Sequence, residues 1–375
     1  MAIWPPWFPA SLSRKMVLIP EQGRAVLFAS DNPARWLFSM INRLITPFYI
    51  FITTIFITVD IPAQASPKFI FPVDCTLGVD CWTVNYLDMD PTAGVADFKC
   101  GHKTYDGHKG TDFAIRSLAE MQAGVAVIAA MDGTVLRLRD SEPDTIKTKD
   151  ELEAIRAQRK ECGNAVVLNH GGGLTTLYCH MKKGSITVLP KEMVKAGDKI
   201  GEIGLSGFTE FPHMHFTVIR DGKMIDPYSG AINTAGCGQH KQSLWAADQP
   251  MAYEPVAIYD GGFRTQVPDF DSIKRGEKNP QTLSSEIPAL VFWTAIYGIK
   301  KGDRVDITTL DPSGEVFTQR TVVQNKDRAR QYYYTGRKIN EHKLEPGVYK
   351  GRIHIYRDED VQAKRDFRIT IKHQQ

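Results

Sequence analysis

Between Asp106 and Ser229 short apolar runs alternate with glycine turns, and this punctuation restricts the fold more than any other feature of the chain. The runs Gly124–Ala130, Gly133–Arg139, Asn164–Asn169, Thr175–His180, Lys199–Ile203 and His213–Ile219 read as strands. Asp132-Gly133 and Gly171-Gly172-Gly173 are hairpin signals, so the segment is expected to be an antiparallel β domain with little helix. One stretch interrupts it. Ser141 to Glu161 is rich in Glu, Lys, Arg and Ala, with Leu152 and Ile155 at helical spacing, which predicts a solvated surface helix inserted into a hairpin. A second series begins near Val256 and includes Val305–Thr309, Val316–Val323, Arg330–Thr335, Gly347–Tyr356 and Arg365–Ile371. With turns at Asp311-Pro312-Ser313-Gly314 and Glu345-Pro346-Gly347, it predicts a small β-sandwich of immunoglobulin-like type.

At 375 residues the chain is long enough for two domains. Its net charge of +3 is small against 46 basic and 43 acidic residues, and no basic stripe with interleaved aromatics is present, so a nucleic-acid partner is not expected. The N-terminal region stands apart. Ile41 to Val59 is apolar with a single charge, Arg43, near its start, and Ala63-Gln64-Ala65 follows it. This is the pattern of a secretory signal peptide starting at Met40 and cut after Ala65, which leaves residues 1–39 as an over-long start. An uncleaved segment would be a membrane anchor, and it is the one membrane contact expected. All six cysteines lie beyond the cleavage site, as three disulfides of an exported protein would. Cys162 and Cys179 flank the hairpin around Gly171-Gly172-Gly173 and face each other across it. Cys75 and Cys81 are placed to close a short loop, with Cys100 competing for either.

Within the first strand series, His213-Met214-His215 puts two imidazoles on one side of an extended backbone, and Thr217-Val218-Ile219 continues the strand. About a hundred residues upstream is His108-Lys109-Gly110-Thr111-Asp112, and His180 ends the run Leu177-Tyr178-Cys179-His180. The chain has ten histidines, and four of them fall in these short motifs, which favours a site over coincidence. Imidazoles with a carboxylate are the donors of a catalytic zinc centre, where three protein groups leave one position open. His102 reads as a loop residue, and His342, His354 and His373 as surface residues.

These three motifs resemble those of the M23 family of zinc metallopeptidases, the LytM or lysostaphin type. Val127 to Val135, Val194 to Gly201 and Gly204-Leu205-Ser206-Gly207 resemble its core strands and the approach to its last ligand, so the likeness covers roughly 101–228. It implies an antiparallel LytM-type peptidase domain, and with the sandwich read from the strand pattern the protein is expected to be mainly β. The division is then 1–65 extension and signal peptide, 66–100 cysteine-containing wrap, 101–250 peptidase domain and 251–375 accessory sandwich. By the same resemblance His108, Asp112 and His215 hold one Zn2+, and His180 and His213 are catalytic without being ligands. The reaction implied is hydrolysis of peptidoglycan stem peptides by zinc-activated water in the periplasm or cell envelope. A non-catalytic relative that binds wall or activates another hydrolase is the alternative, and the five filled positions argue against it. A biotinyl or lipoyl carrier domain would need a lysine at the hairpin tip, where this chain has Asp132-Gly133.

Overall fold

The computed structural model describes residues 68–249, 251–339 and 343–373; the signal segment, its cleavage site and His342 lie outside them. No helix among the described residues is long and apolar enough to cross a membrane.

The protein is mainly β with antiparallel sheets. Its first half carries β1 (Cys81–Asn85), β2 (Thr111–Ile115), helix α1 (Leu118–Ala123), β3 (Ala126–Ile128) and β4 (Gly133–Arg139). After helix α2 (Lys149–Ala157) come β5 (Asn164–Asn169), β6 (Leu174–Met181), β7 (Met193–Val194), β8 (Lys199–Glu202), β9 (His213–Arg220) and β10 (Lys223–Ile225). The large sheet runs β1-β2-β9-β6-β5-β4-β7 with β10 on β9, and β3 and β8 form a separate ribbon. Period-two alternation decides which face each side chain takes. On β9, Met214, Phe216 and Val218 enter the main core with Phe113 and Ile115 of β2 and Tyr178 of β6. The intervening residues, His213 and His215 on β9 and Asp112 and Ala114 on β2, therefore share the opposite face.

Strand β1 is a difference from the sequence expectation, because 66–100 reads as loop-rich. Five residues between irregular segments are too few for a period to show.

The second half contains β11 (Ala257–Arg264), helix α3 (Phe270–Arg275), β12 (Thr282–Ser284), β13 (Ala289–Ile299), β14 (Arg304–Leu310) and β15 (Val316–Val323). It ends with β16 (Arg328–Lys338), β17 (Gly347–Arg357) and β18 (Asp360–Lys372). A three-stranded sheet, β11-β13-β16, packs on a five-stranded one, β12-β18-β17-β14-β15, around Phe292, Ile296, Ile307, Ile353 and Ile369. The outer face of the smaller sheet is also covered. Tyr259, Trp293 and Tyr297 pack on Trp82, Val84, Ala114 and Phe211 of the first half. Strand β13 is thus buried on both faces, which explains its nearly continuous apolar run, broken by Thr294, and the absence of any alternation in it.

The cysteines pair as Cys75–Cys81, Cys100–Cys237 and Cys162–Cys179. The last closes a loop with a sequence separation of 17 and ties the end of the inserted segment to the strand carrying His180. Replacing both Cys162 and Cys179 by serine is expected to lower stability by about 3 kcal/mol, the loop-entropy value for such a length, measured by urea unfolding.

Asp226, just past β10, is fully buried; its Oδ2 accepts from the Ser229 amide and hydroxyl, each at 2.6 Å. Burial pushes its carboxyl up to about 6. A carboxyl whose folded pKa lies above its unfolded value keeps its proton longer in the folded state. Its contribution is therefore fully present below about pH 4 and lost as pH rises through about 6. We expect this group to reduce unfolding free energy by about 3 kcal/mol across that window. Comparing denaturant midpoints with Asp226→Asn, which should flatten that slope, checks it.

Candidate metal centre and active site

The register of the sheet brings the separated motifs together. Asp112 on β2 is opposite His215 on β9, Ala114 is opposite His213, and Cys179 on β6 is opposite His215 from the other side. His108 reaches the same point from the loop before β2. The approach requires a glycine two residues on, since a Cβ at Gly110 would stand 2.4 Å from the Phe216 carbonyl oxygen and 2.8 Å from His215 Nε2.

Three donor atoms converge. His108 Nε2 lies 3.1 Å from Asp112 Oδ1 and 3.1 Å from His215 Nδ1, and His215 Nδ1 lies 2.8 Å from Asp112 Oδ1. All three residues are buried. Each is oriented from behind, as metal ligands usually are. His108 Nδ1 donates to the Tyr86 carbonyl at 2.6 Å, which leaves the Nε2 lone pair facing inward. His215 Nε2 rests on the Thr217 hydroxyl at 3.0 Å, turning Nδ1 inward, and Asn85 Nδ2 donates to Asp112 Oδ2 at 2.9 Å, leaving Oδ1 free to face the others.

A tetrahedral zinc with bonds of about 2.0 Å has ligand–ligand edges of about 3.3 Å, so a triangle of this size needs only slight widening to hold one. Inward lone pairs beside a carboxylate oxygen repel one another unless a proton or cation sits between them. The donor set fits the group.

His180 and His213 lie beside this triangle, their rings 4.6 Å apart between centroids, with His180 5.9 Å from the His215 ring. His180 Nδ1 donates to the Ser206 carbonyl at 2.8 Å, and His213 Nδ1 to the Phe211 carbonyl at 3.0 Å. A carbonyl only accepts, so each Nδ1 carries a proton, and in His180 this leaves Nε2 as the free acceptor. His213 Nε2 is 3.4 Å from Asp112 Oδ1. His180 ends β6 with φ of 60°, a conformation uncommon outside glycine and one to which histidine is better suited than most residues.

Electrostatics separate the roles. Burial, reinforced by the neighbouring His213 and His215, holds His180 well below the usual imidazole range, so its ring is neutral at neutral pH. Burial would raise Asp112, but His108 and His213 beside it hold its carboxyl well below the ordinary value. Burial lowers His108, and the Asp112 charge more than offsets this. For His215, burial prevails and the net shift is downward.

All five residues singled out in the sequence meet here, and His102 does not: it is exposed and outside the cluster. Sequence reasoning missed Asn85, Tyr86, Thr217 and Ser206, which orient the histidines and Asp112, and Tyr105, whose ring lies 4.5 Å from that of His108. Two imidazoles and a carboxylate on one sheet face, with two further imidazoles alongside, fit the class of mononuclear metallohydrolases.

Comparison with known proteins gives a family within that class. Residues 106–227 match peptidase family M23. The chain is 29% identical over 103 residues to the DD-carboxypeptidase/endopeptidase Mpg of Neisseria meningitidis, covering 28% of this chain and 23% of that one. It is 29% identical over 135 residues to the peptidoglycan DD-endopeptidase ShyA of Vibrio cholerae, covering 36% of this chain and 25% of the relative. The chain thus spans about a quarter of the length of these relatives. Among solved structures, a zinc-containing peptidase from Vibrio cholerae is 25% identical with a TM-score of 0.25, covering 38% of this chain and 39% of the other.

Proposed function

We propose that this protein is an exported zinc metalloendopeptidase that hydrolyses peptide cross-links of bacterial peptidoglycan. The observation that carries the reading is the convergence of one donor atom each from His108, Asp112 and His215 within 4.8 Å. The family match and the names of the relatives supply the substrate class. Three disulfide pairs and the apolar segment before Ser66 support export.

Bound by these three residues, zinc supplies a Lewis acid and lowers the pKa of a coordinated water to about 7. The chain supplies the proton handling. His180 is neutral with Nε2 unprotonated, so it can accept the proton of the attacking water. His213, its Nε2 turned toward Asp112 Oδ1, is placed to hold the water by hydrogen bonding or, once protonated, to face the oxygen on which negative charge develops. The Ser206 and Phe211 carbonyls hold the Nδ1 edges of both rings, so little reorganisation precedes reaction. We read the 251–375 sandwich as an accessory, immunoglobulin-like domain, since its outer aromatic face closes on the strands beside the site.

Incubation with purified peptidoglycan, with and without a chelator, followed by mass analysis of the fragments, tests the reading. Release of fragments cut between stem peptides, abolished by chelator and restored by zinc, is the expected result. Cuts confined to the glycan, or none at all, would refute it.

A further inference from the structure

The segment from Ser141 to Glu161 carries no buried helical residue and reads as a solvated excursion, yet it is clamped to the loop that leads to His213. At its start, Asp144 Oδ1 accepts from the Leu205 amide and Oδ2 from the Lys183 amide, both at 2.7 Å, while the Lys147 ammonium donates to the Leu205 carbonyl. At its end, the Glu161 carbonyl accepts from the Phe208 amide at 2.8 Å, and Cys162 is bonded to Cys179 next to His180. Between these anchors α2 has a complete capping box, Thr148 with Glu151. Its placement beside the site is therefore fixed.

From this helix Arg156 lays its guanidinium over the Phe208 ring, 4.2 Å from the centroid. Phe208 comes two residues after Ser206, whose carbonyl holds the His180 ring, so the guanidinium is stacked on the loop that orients the site histidines. Arg156 has no ion pair among the described residues. Of the acids in the same segment, Glu153 is 3.9 Å from Lys149, and Glu142 is 2.9 Å from Lys160. A rigidly carried, stacked guanidinium without a carboxylate partner is suited to bidentate recognition of one.

We propose that Arg156 is a specificity residue that binds a carboxylate of the peptide substrate beside the loop carrying His213. The inference rests on the peptidase reading and deepens it: the preferred substrate is a carboxylate-bearing peptide rather than its amidated counterpart.

The test uses the zinc-loaded full chain and two synthetic cross-linked peptides, one with a side-chain carboxylate next to the scissile bond and one with an amide there. With R156Q, KM for the carboxylate peptide is expected to rise about five- to tenfold with kcat within about twofold, as loss of a charge-assisted hydrogen bond implies. The amide peptide should be unaffected, and R156K should retain part of the preference. Equal effects on both peptides, or none on either, would overturn the role of Arg156. Calorimetric binding of the same peptides separates this from failure of the peptidase reading. Selective weakening of the carboxylate peptide by R156Q in a protein that hydrolyses neither would uphold Arg156 and refute the hydrolase. Binding unchanged by R156Q would refute Arg156 whatever the turnover.

Discussion

Replacement of His215 by alanine is expected to abolish bound zinc and hydrolysis together. His215 Nδ1 closes two of the three edges of the donor triangle, to His108 Nε2 and Asp112 Oδ1. Without it two ligands remain, too few for a catalytic site that keeps one position open. The expected fall in kcat/KM is on the order of a thousandfold or more, because the lost charge stabilisation amounts to several kcal/mol. Metal analysis of the purified variant should give far less than one zinc per chain. The fold should survive, since the packed faces of β9 and its neighbours, with Met214, Phe216 and Val218, are untouched. Asp112→Ala should behave alike, with one addition: Asn85 loses its acceptor. Near-complete zinc content with full activity in either variant would contradict the ligand assignment.

Changing His180 should give the opposite pairing, zinc retained and activity lost. No donor atom of His180 belongs to the triangle, so one zinc per chain is expected in the variant. Removal of a positioned general base costs typically a factor of 10² to 10⁴. The loss should fall mainly on kcat, because the ring acts on the water and not on substrate binding. The backbone complicates an alanine here, because φ of 60° suits few residues. Asparagine tolerates that conformation, so His180→Asn isolates the loss of the base from a strained turn, and the two variants should agree in zinc content. A His180→Asn protein that lost its metal would reassign His180 as a ligand.

Sequence and structure agree most closely where the chemistry is local. His108 and Asp112 are four residues apart, His213 and His215 two apart, and β-branched residues after His215 announce a strand, so each motif is visible in a short window. Their juxtaposition follows from pairing Asp112 with His215 across strands far apart in sequence, and only the family resemblance anticipates it. The groups that orient the five site residues were hidden for two reasons. Several are backbone carbonyls, of Tyr86, Ser206 and Phe211, whose direction no residue type encodes. Asn85 stands on a strand too short to declare itself, 27 residues before its partner. The charged insertion shows the reverse case. Its composition is that of a solvated helix, and it is one, yet Asp144, Lys147 and Glu161 at its ends fix it against the loop before His213.

Stepwise return of zinc to the chelated protein, with release of peptidoglycan fragments followed at each addition, tests the metal centre most directly. Hydrolysis should be absent without zinc, rise in proportion to added metal and level off at one equivalent per chain, with no recovery in the His215→Ala variant at the same additions. Full hydrolysis by the metal-free protein, or recovery of the His215→Ala variant at one equivalent, would contradict a centre built from His108, Asp112 and His215.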